Sequence, residues 1–208
     1  MTAIAGNTSV ASRAAFLRDR SLWIAAVDVV AILVALSLPW STSLVAIFAT
    51  ALLAAMVPFL DVRAFLQSLK RPICAVPIAL FVLAAVGTLW SDAAWGARLY
   101  AIGPTVKLLV LPALLFHFER SERGLMVLAA FLMSCTLLMG MSWLVVLDPH
   151  LSLKPAAEVT RGIFVKNYID QSQEFTLCLV AVAYPIMTFL RAKKFLMAAG
   201  LVTVFLTI

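Results

Sequence analysis

Stretches of roughly 20 apolar residues, separated by short polar links, recur along the whole chain, and no other feature constrains its fold so tightly. At 1.5 Å per residue, about 20 helical residues cross the roughly 30 Å hydrocarbon core of a bilayer. Backbone amides in lipid find no water, so runs of this length must close their hydrogen bonds internally as helices. The strands of a membrane barrel would be shorter and would alternate apolar and polar faces. The fold class that follows is all-α, a polytopic integral membrane protein. Composition agrees: 64% of the 208 residues are hydrophobic and 12% charged, against about 25% charged in an average soluble domain. Mean hydropathy is +1.06. No soluble domain fits between the runs, so residues 1–208 read as a single transmembrane domain.

Hydropathy predicts about seven spans: Ser21 to Pro39, Ser41 to Leu60, Cys74 to Trp90, Pro104 to Phe118, Leu125 to Leu147, Phe175 to Leu190, and Phe195 onward. The first follows Arg13, Arg18 and Arg20 as a signal peptide would, but it lacks a small-residue cleavage site and a second apolar run follows at once. It reads as a retained anchor. The last run is still apolar at Ile208, with no polar cap or basic flank, and on that ground the chain is expected to be the front part of a longer protein.

Alternate links carry very different numbers of basic residues. Eleven of the 16 Lys and Arg fall on one side, in the N-terminal segment, "DVRAFLQSLKRP", "ERSERG" and "RAKK"; five, Arg98, Lys107, Lys154, Arg161 and Lys166, fall on the other. Positive charge marks the cytoplasmic side, so the N-terminus is expected to be cytoplasmic and the segments at about 91–107 and 148–174 to face outward. The basic inner loops read as topology anchors beside anionic lipid. Trp40, Trp90, Trp95, Tyr100 and Trp143 lie near predicted outer ends of spans, where aromatic rings favour the interface. Cys74, Cys135 and Cys178 form no paired motif and read as small packing residues.

The five outer cations run against the charge bias and need another reason. Lys107, in "IGPTVKLLVLP", is either a lysine snorkelling to the headgroups or a buried anion ligand; Gly103 and Pro104 predict a helix start beside it, whose free N–H groups would favour an anion. Arg98, in "WGARLYAIG", sits in what reads as a short interfacial helix, facing a lipid phosphate or the same anion. Arg161 and Lys166 bracket "GIFV" in the most polar long stretch of the chain, immediately before the sixth span. That stretch is either an exposed loop or the lining of an outward cavity, since polar backbone at membrane depth is tolerated only away from lipid. A cavity with several cations suits an anionic headgroup, Arg bonding two phosphate oxygens at once and Lys acting as a point charge.

Other chemistry is sparse. His117 and His150 fall on opposite predicted sides and cannot share a metal, and no zinc, P-loop or dinucleotide motif is present. Asp170 and Glu174 fit the start of the sixth helix. Asp28, alone in the first span, must be neutral, exposed to water or paired with a cation.

The stretch "TRGIFVKNYIDQSQEF", with Arg161, Gly162, Phe164, Asn167 and Ser172, together with "LWSDAAWGARLYAIGPTVKLLVLP" and the hydropathy pattern, resembles the O-antigen ligases, the WaaL family, within the wider group of O-antigen ligases and polymerases. Lys166 and Tyr168 depart from the tripeptide common among relatives. The resemblance implies a roughly twelve-span enzyme of the GT-C glycosyltransferase fold in the bacterial inner membrane. It would transfer O-antigen from undecaprenyl diphosphate to lipid A-core at the periplasmic face, with inversion and without a metal or other cofactor. Arg161, Lys166, Lys107 and Arg98, in that order, are the expected ligands of the diphosphate, and nucleic acid is not an expected partner. The general base is expected beyond Ile208, in a large outer loop that carries the family's catalytic histidine. Two other readings stand beside this one: an O-antigen polymerase, and a transporter or flippase that binds an anionic lipid-linked glycan with the same cations.

Overall fold

The computed structural model describes residues 20–151, 163–165 and 167–207. Among these residues the chain is helical between short turns, and no strand occurs. The helices are α1 (Arg20–Ser37), α2 (Thr42–Met56, continued by a 3-10 turn, Val57–Phe59), α3 (Val62–Ser68), α4 (Pro72–Gly87), α5 (Trp95–Val106), α6 (Val110–Phe118), α7 (Gly124–Leu147), α8 (Tyr168–Arg191) and α9 (Phe195–Thr207). Six stretches are long and apolar enough to cross a bilayer: Arg20–Ser37, Thr42–Phe59, Pro72–Trp90, Trp95–Phe118, Gly124–Leu147 and Ile169–Arg191. The fold is that of an all-helical, polytopic membrane protein. The seventh predicted run forms α9, described over Phe195–Thr207.

Three local outcomes differ from expectation. First, Gly103 and Pro104 do not start a helix: Pro104 lies inside α5, which leads through a 3-10 turn at Lys107–Leu109 into α6. The predicted interfacial helix around Arg98 is therefore the first half of the fourth span, and only residues 91–94 separate it from the turn that ends the third. Proline lacks one hydrogen-bond donor but already has a helical φ, so neighbouring turns can carry it. Second, α8 begins seven residues before the predicted span. The Asn167 side chain caps it by accepting from the Asp170 N–H at 2.8 Å, and Asp170 stands in the first turn, where negative charge suits the helix dipole. Third, the link after α2 holds a helix: Asp61 Oδ1 accepts from the Ala64 N–H at 3.1 Å and so starts α3. Pro72 opens α4 at a position where its missing N–H costs nothing.

The chain divides into two compact units. In the first, residues 20–28 and 49–123, α4 packs on α5 and α6, and α3 packs on α6. Phe65 of α3 meets Phe116 of α6 edge to face, with ring centroids 5.3 Å apart.

In the second unit, residues 29–48 and 124–207, α7 packs on α8 and α8 on α9. Its core is built from small groups as well as large: Ala35, Ala130, Phe131, Cys135, Cys178 and Val182. Small residues let helix backbones approach where lipid gives no hydrophobic drive between them. Cys135 and Cys178 are fully buried and hydrogen-bonded to each other. Ser134 on α7 accepts from the Trp40 indole N–H at 2.8 Å and donates to the Leu36 carbonyl at 2.7 Å. Trp40 is thus half-buried and hydrogen-bonded within the protein, whereas Trp90, Trp95, Tyr100 and Trp143 are exposed. Nearby, Leu138, Val145 and Phe164 form a second cluster with Trp40, Met141, Val165 and Phe175.

Ser134→Ala removes both partners at one stroke and is expected to cost about 0.6–1.7 kcal/mol, the range of interhelical hydrogen bonds in membrane proteins. Reversible unfolding in mixed micelles measures it. Adding Trp40→Phe should cost little more, because the bond is already gone.

Candidate functional site

Of the four cations expected to hold a diphosphate, Arg161 and Lys166 lie outside the described residues. The short segment between them is informative. Ile163 and Phe164 are buried, and the Phe164 ring stands edge-on to Trp40 with centroids 6.3 Å apart. Val165 packs with the same cluster. Two residues later Asn167 caps α8. One turn into that helix, Gln171 is buried and its side-chain amide donates to Ser142 Oγ on α7 at 2.9 Å. The polar stretch therefore contains an apolar anchor and a helix cap, and two of its polar side chains have structural tasks.

Arg98 is half-buried. Its Nε donates to the Ala93 carbonyl at 2.6 Å and its Nη1 to the Thr88 carbonyl at 3.3 Å, while the guanidinium lies 4.7 Å from the centroid of the Trp95 ring. The side chain staples the turn between α4 and α5, and two hydrogen bonds leave part of its five-donor fork available. Lys107 is exposed at the first position of the 3-10 turn after α5. Nine helical residues separate the two, which is about two and a half turns and about 13 Å of rise. They stand on opposite faces of one rod, so it does not bring them together.

The other buried charge in the described residues is Asp28, and here the sequence reading was incomplete. Asp28, 2% exposed, lies beside His117, 1% exposed, near the end of α6. His117 Nε2 is 2.7 Å from Asp28 Oδ1, and the Ser121 hydroxyl donates to the same oxygen at 2.6 Å. Arg123 Nε stands 3.8 Å from Oδ2, beyond hydrogen-bond range but within ion-pair range. Of the options open to a lone carboxylate in a span, the structure has taken pairing. The turn after α6 explains the geometry. The Arg120 and Ser121 N–H groups both return to the His117 carbonyl, at 2.9 and 3.1 Å, folding the chain back so that Ser121 reaches α1. Ser121 Oγ also accepts from the Arg123 N–H at 3.2 Å.

The loop "ERSERG" thus does more than anchor topology. Glu119 pairs with Arg71, and Arg120 lies over the Phe116 ring, 3.6 Å from its centroid, with Nη1 donating to the Phe116 carbonyl at 2.8 Å. The grouping of serine, histidine and aspartate is not a nucleophile triad. Such a triad needs the serine proton directed at the imidazole, whereas Ser121 directs its proton at Asp28. It is a buried carboxylate–imidazole pair to which a serine donates a hydrogen bond. The signal was present in the sequence as two polar residues, Asp28 and His117, each alone in an apolar run.

Among the described residues no three His, Cys, Asp or Glu side chains gather as a metal site would require. What fold and site together define is a class, a polytopic helical membrane protein with a buried carboxylate–imidazole pair. No family model, no curated protein and no solved structure matches the chain.

His117→Ala takes one hydrogen-bond partner from the buried Asp28 and leaves Ser121 and Arg123 beside it, so it is expected to destabilise the protein by about 1–3 kcal/mol in thermal unfolding in detergent. The double variant Asp28→Leu, His117→Leu should be more stable than His117→Ala, since it leaves no buried carboxylate short of a partner.

Proposed function

We propose that this chain is the membrane part of a glycosyltransferase that takes a glycan from undecaprenyl diphosphate, an O-antigen ligase acting on lipid A-core at the periplasmic face of the bacterial inner membrane. The observation that carries the reading is the anchored segment Ile163–Phe164 inside the polar stretch. An exposed loop has no need of a phenylalanine seated against Trp40. That anchor and the Asn167 cap belong to the same stretch of sequence as Arg161 and Lys166, the proposed diphosphate ligands, which lie outside the described residues. A GT-C-type architecture accords with an all-helical chain of six candidate spans.

The chemistry asks for cations more than for a metal. When an acceptor hydroxyl attacks the anomeric carbon from the face opposite the leaving group, the diphosphate departs with growing negative charge. Preorganised positive groups at its oxygens lower that barrier because they need no reorganisation at the moment of reaction. Arg161 is assigned the bidentate role and Lys166 the point charge. Arg98, already fixed by its backbone bonds, and Lys107 are secondary candidates. No residue of the chain is assigned as the base that receives the acceptor proton.

A second reading, transport of an anionic lipid-linked glycan, draws on the buried Asp28–His117 pair, because ionisable pairs inside spans often line ion or substrate paths. The two readings part on whether a new glycosidic bond forms. With purified full-length protein, donor lipid and lipid A-core in proteoliposomes, ligation should be observed. Translocation without ligation would overturn the enzyme, and long undecaprenyl-linked chains without transfer to lipid A-core would mark a polymerase.

In that assay Arg161→Ala should lower the rate about 10²- to 10³-fold, as loss of a principal transition-state donor does, with insertion unchanged. For orientation, alkaline phosphatase, active only after export, should be active when fused after Asp92 and inactive when fused after Lys194.

A further inference from the structure

A cleft of about 340 Å³ adjoins the Asp28 site, lined by Ser21, Ile24, Ala25, Asp28 and the turn Arg120 to Arg123. Ser21, Ile24, Ala25 and Asp28 recur at i, i+3, i+4 and i+7, so one wall is a single face of α1, about 10 Å long. The opposite wall is the turn between the fourth and fifth spans. The cleft therefore opens at the ends of candidate spans, where lipid headgroups lie.

Its charges are balanced. Arg120 and Arg123 contribute two guanidinium groups, Asp28 and Glu122 two carboxylates, and Ser21 and Ser121 two hydroxyls. The carboxylates are not equivalent. Asp28 is buried and engaged by His117, Ser121 and Arg123, so its task is to hold the turn in place. Glu122 is exposed and forms no ion pair among the described residues. Arg123 is about half exposed and stands too far from Asp28 for a hydrogen bond, and Arg120 spends one Nη on a carbonyl. Both guanidinium groups retain donors for a further oxygen ligand.

A purely anionic ligand would meet Glu122 as well as the arginines, and a purely cationic one the reverse. A group that carries a phosphate and a primary ammonium a few bonds apart satisfies both. We propose that this cleft binds a phosphoethanolamine group, with phosphate oxygens on Arg120 and Arg123 and the ammonium on Glu122, whether the group is the headgroup of a phospholipid or a soluble phosphomonoester. Guanidinium groups suit phosphate oxygens through paired N–H donors. A carboxylate takes charge-assisted N–H bonds from a primary ammonium, which a quaternary trimethylammonium cannot give.

The test is lipid retention by native mass spectrometry on the purified full-length protein, delipidated in detergent. It is then offered phosphatidylethanolamine, phosphatidylglycerol or phosphatidylcholine of identical chains. Retention of phosphatidylethanolamine should exceed that of the other two by about fivefold or more, a factor of the size one favourable surface charge contributes. Glu122→Gln should abolish that preference, lowering phosphatidylethanolamine retention and raising that of phosphatidylglycerol, which no longer meets a carboxylate. Arg123→Gln should weaken phosphatidylethanolamine and phosphatidylglycerol alike. Displacement of the bound lipid by O-phosphoethanolamine, but not by inorganic phosphate or ethanolamine alone, would name the soluble group as sufficient. Failure to displace, with the lipid preference intact, would name the lipid. Equal retention of all three lipids, or a preference that survives Glu122→Gln in protein of wild-type helix content, overturns the proposal.

Discussion

Hydrocarbon supplies no hydrogen-bond partner, so any polar side chain inside a span has to find one within the protein. Much of the tertiary structure follows from that rule. Trp40 finds Ser134, and Ser134 finds the Leu36 carbonyl; Gln171 finds Ser142; Asp28 finds His117 and Ser121. Each bond joins parts distant in sequence, and each selects one packing among the many that apolar helices with small contact residues would accept. Leucines and valines on the outer faces, such as Leu83 and Val180, are mostly exposed and specify little.

Helix class and approximate span positions were legible in the sequence because length and hydropathy are one-dimensional. Polar residues at the margins of spans were harder to place. Hydropathy began the sixth span at Phe175 because the preceding residues are polar, whereas Asn167, Asp170 and Gln171 are the cap, first turn and internal contact of α8. Gly103 and Pro104 looked like punctuation, yet a proline φ is already helical and α5 runs through it. Asp28 was recognised as needing a partner, but which partner depends on how the turn after α6 folds back, and no spacing rule gives that. Of the predicted cation site, the sequence supplied the residue types, while the anchor between two of them, Phe164 against Trp40, is a tertiary fact.

Two polar constellations thus follow different logics. The Asp28 network joins three side chains on one carboxylate: His117 and Ser121 meet one oxygen and the Arg123 guanidinium stands near the other. It holds the turn after α6 against α1 and so shapes the cleft beside it. In the stretch before α8, the described residues are held by apolar contacts of Phe164 and Val165 and by the Asn167 cap.

The cysteines carry a practical consequence of tight packing. Cys74, Cys135 and Cys178 are at most 2% exposed, and the last two face each other inside a helix core. Buried structural thiols are inert toward reagents dissolved in water. The native protein is therefore chemically silent to aqueous thiol probes. A single cysteine introduced at Glu122 or Asp92 would report its surroundings against a blank background, with none of the native cysteines replaced.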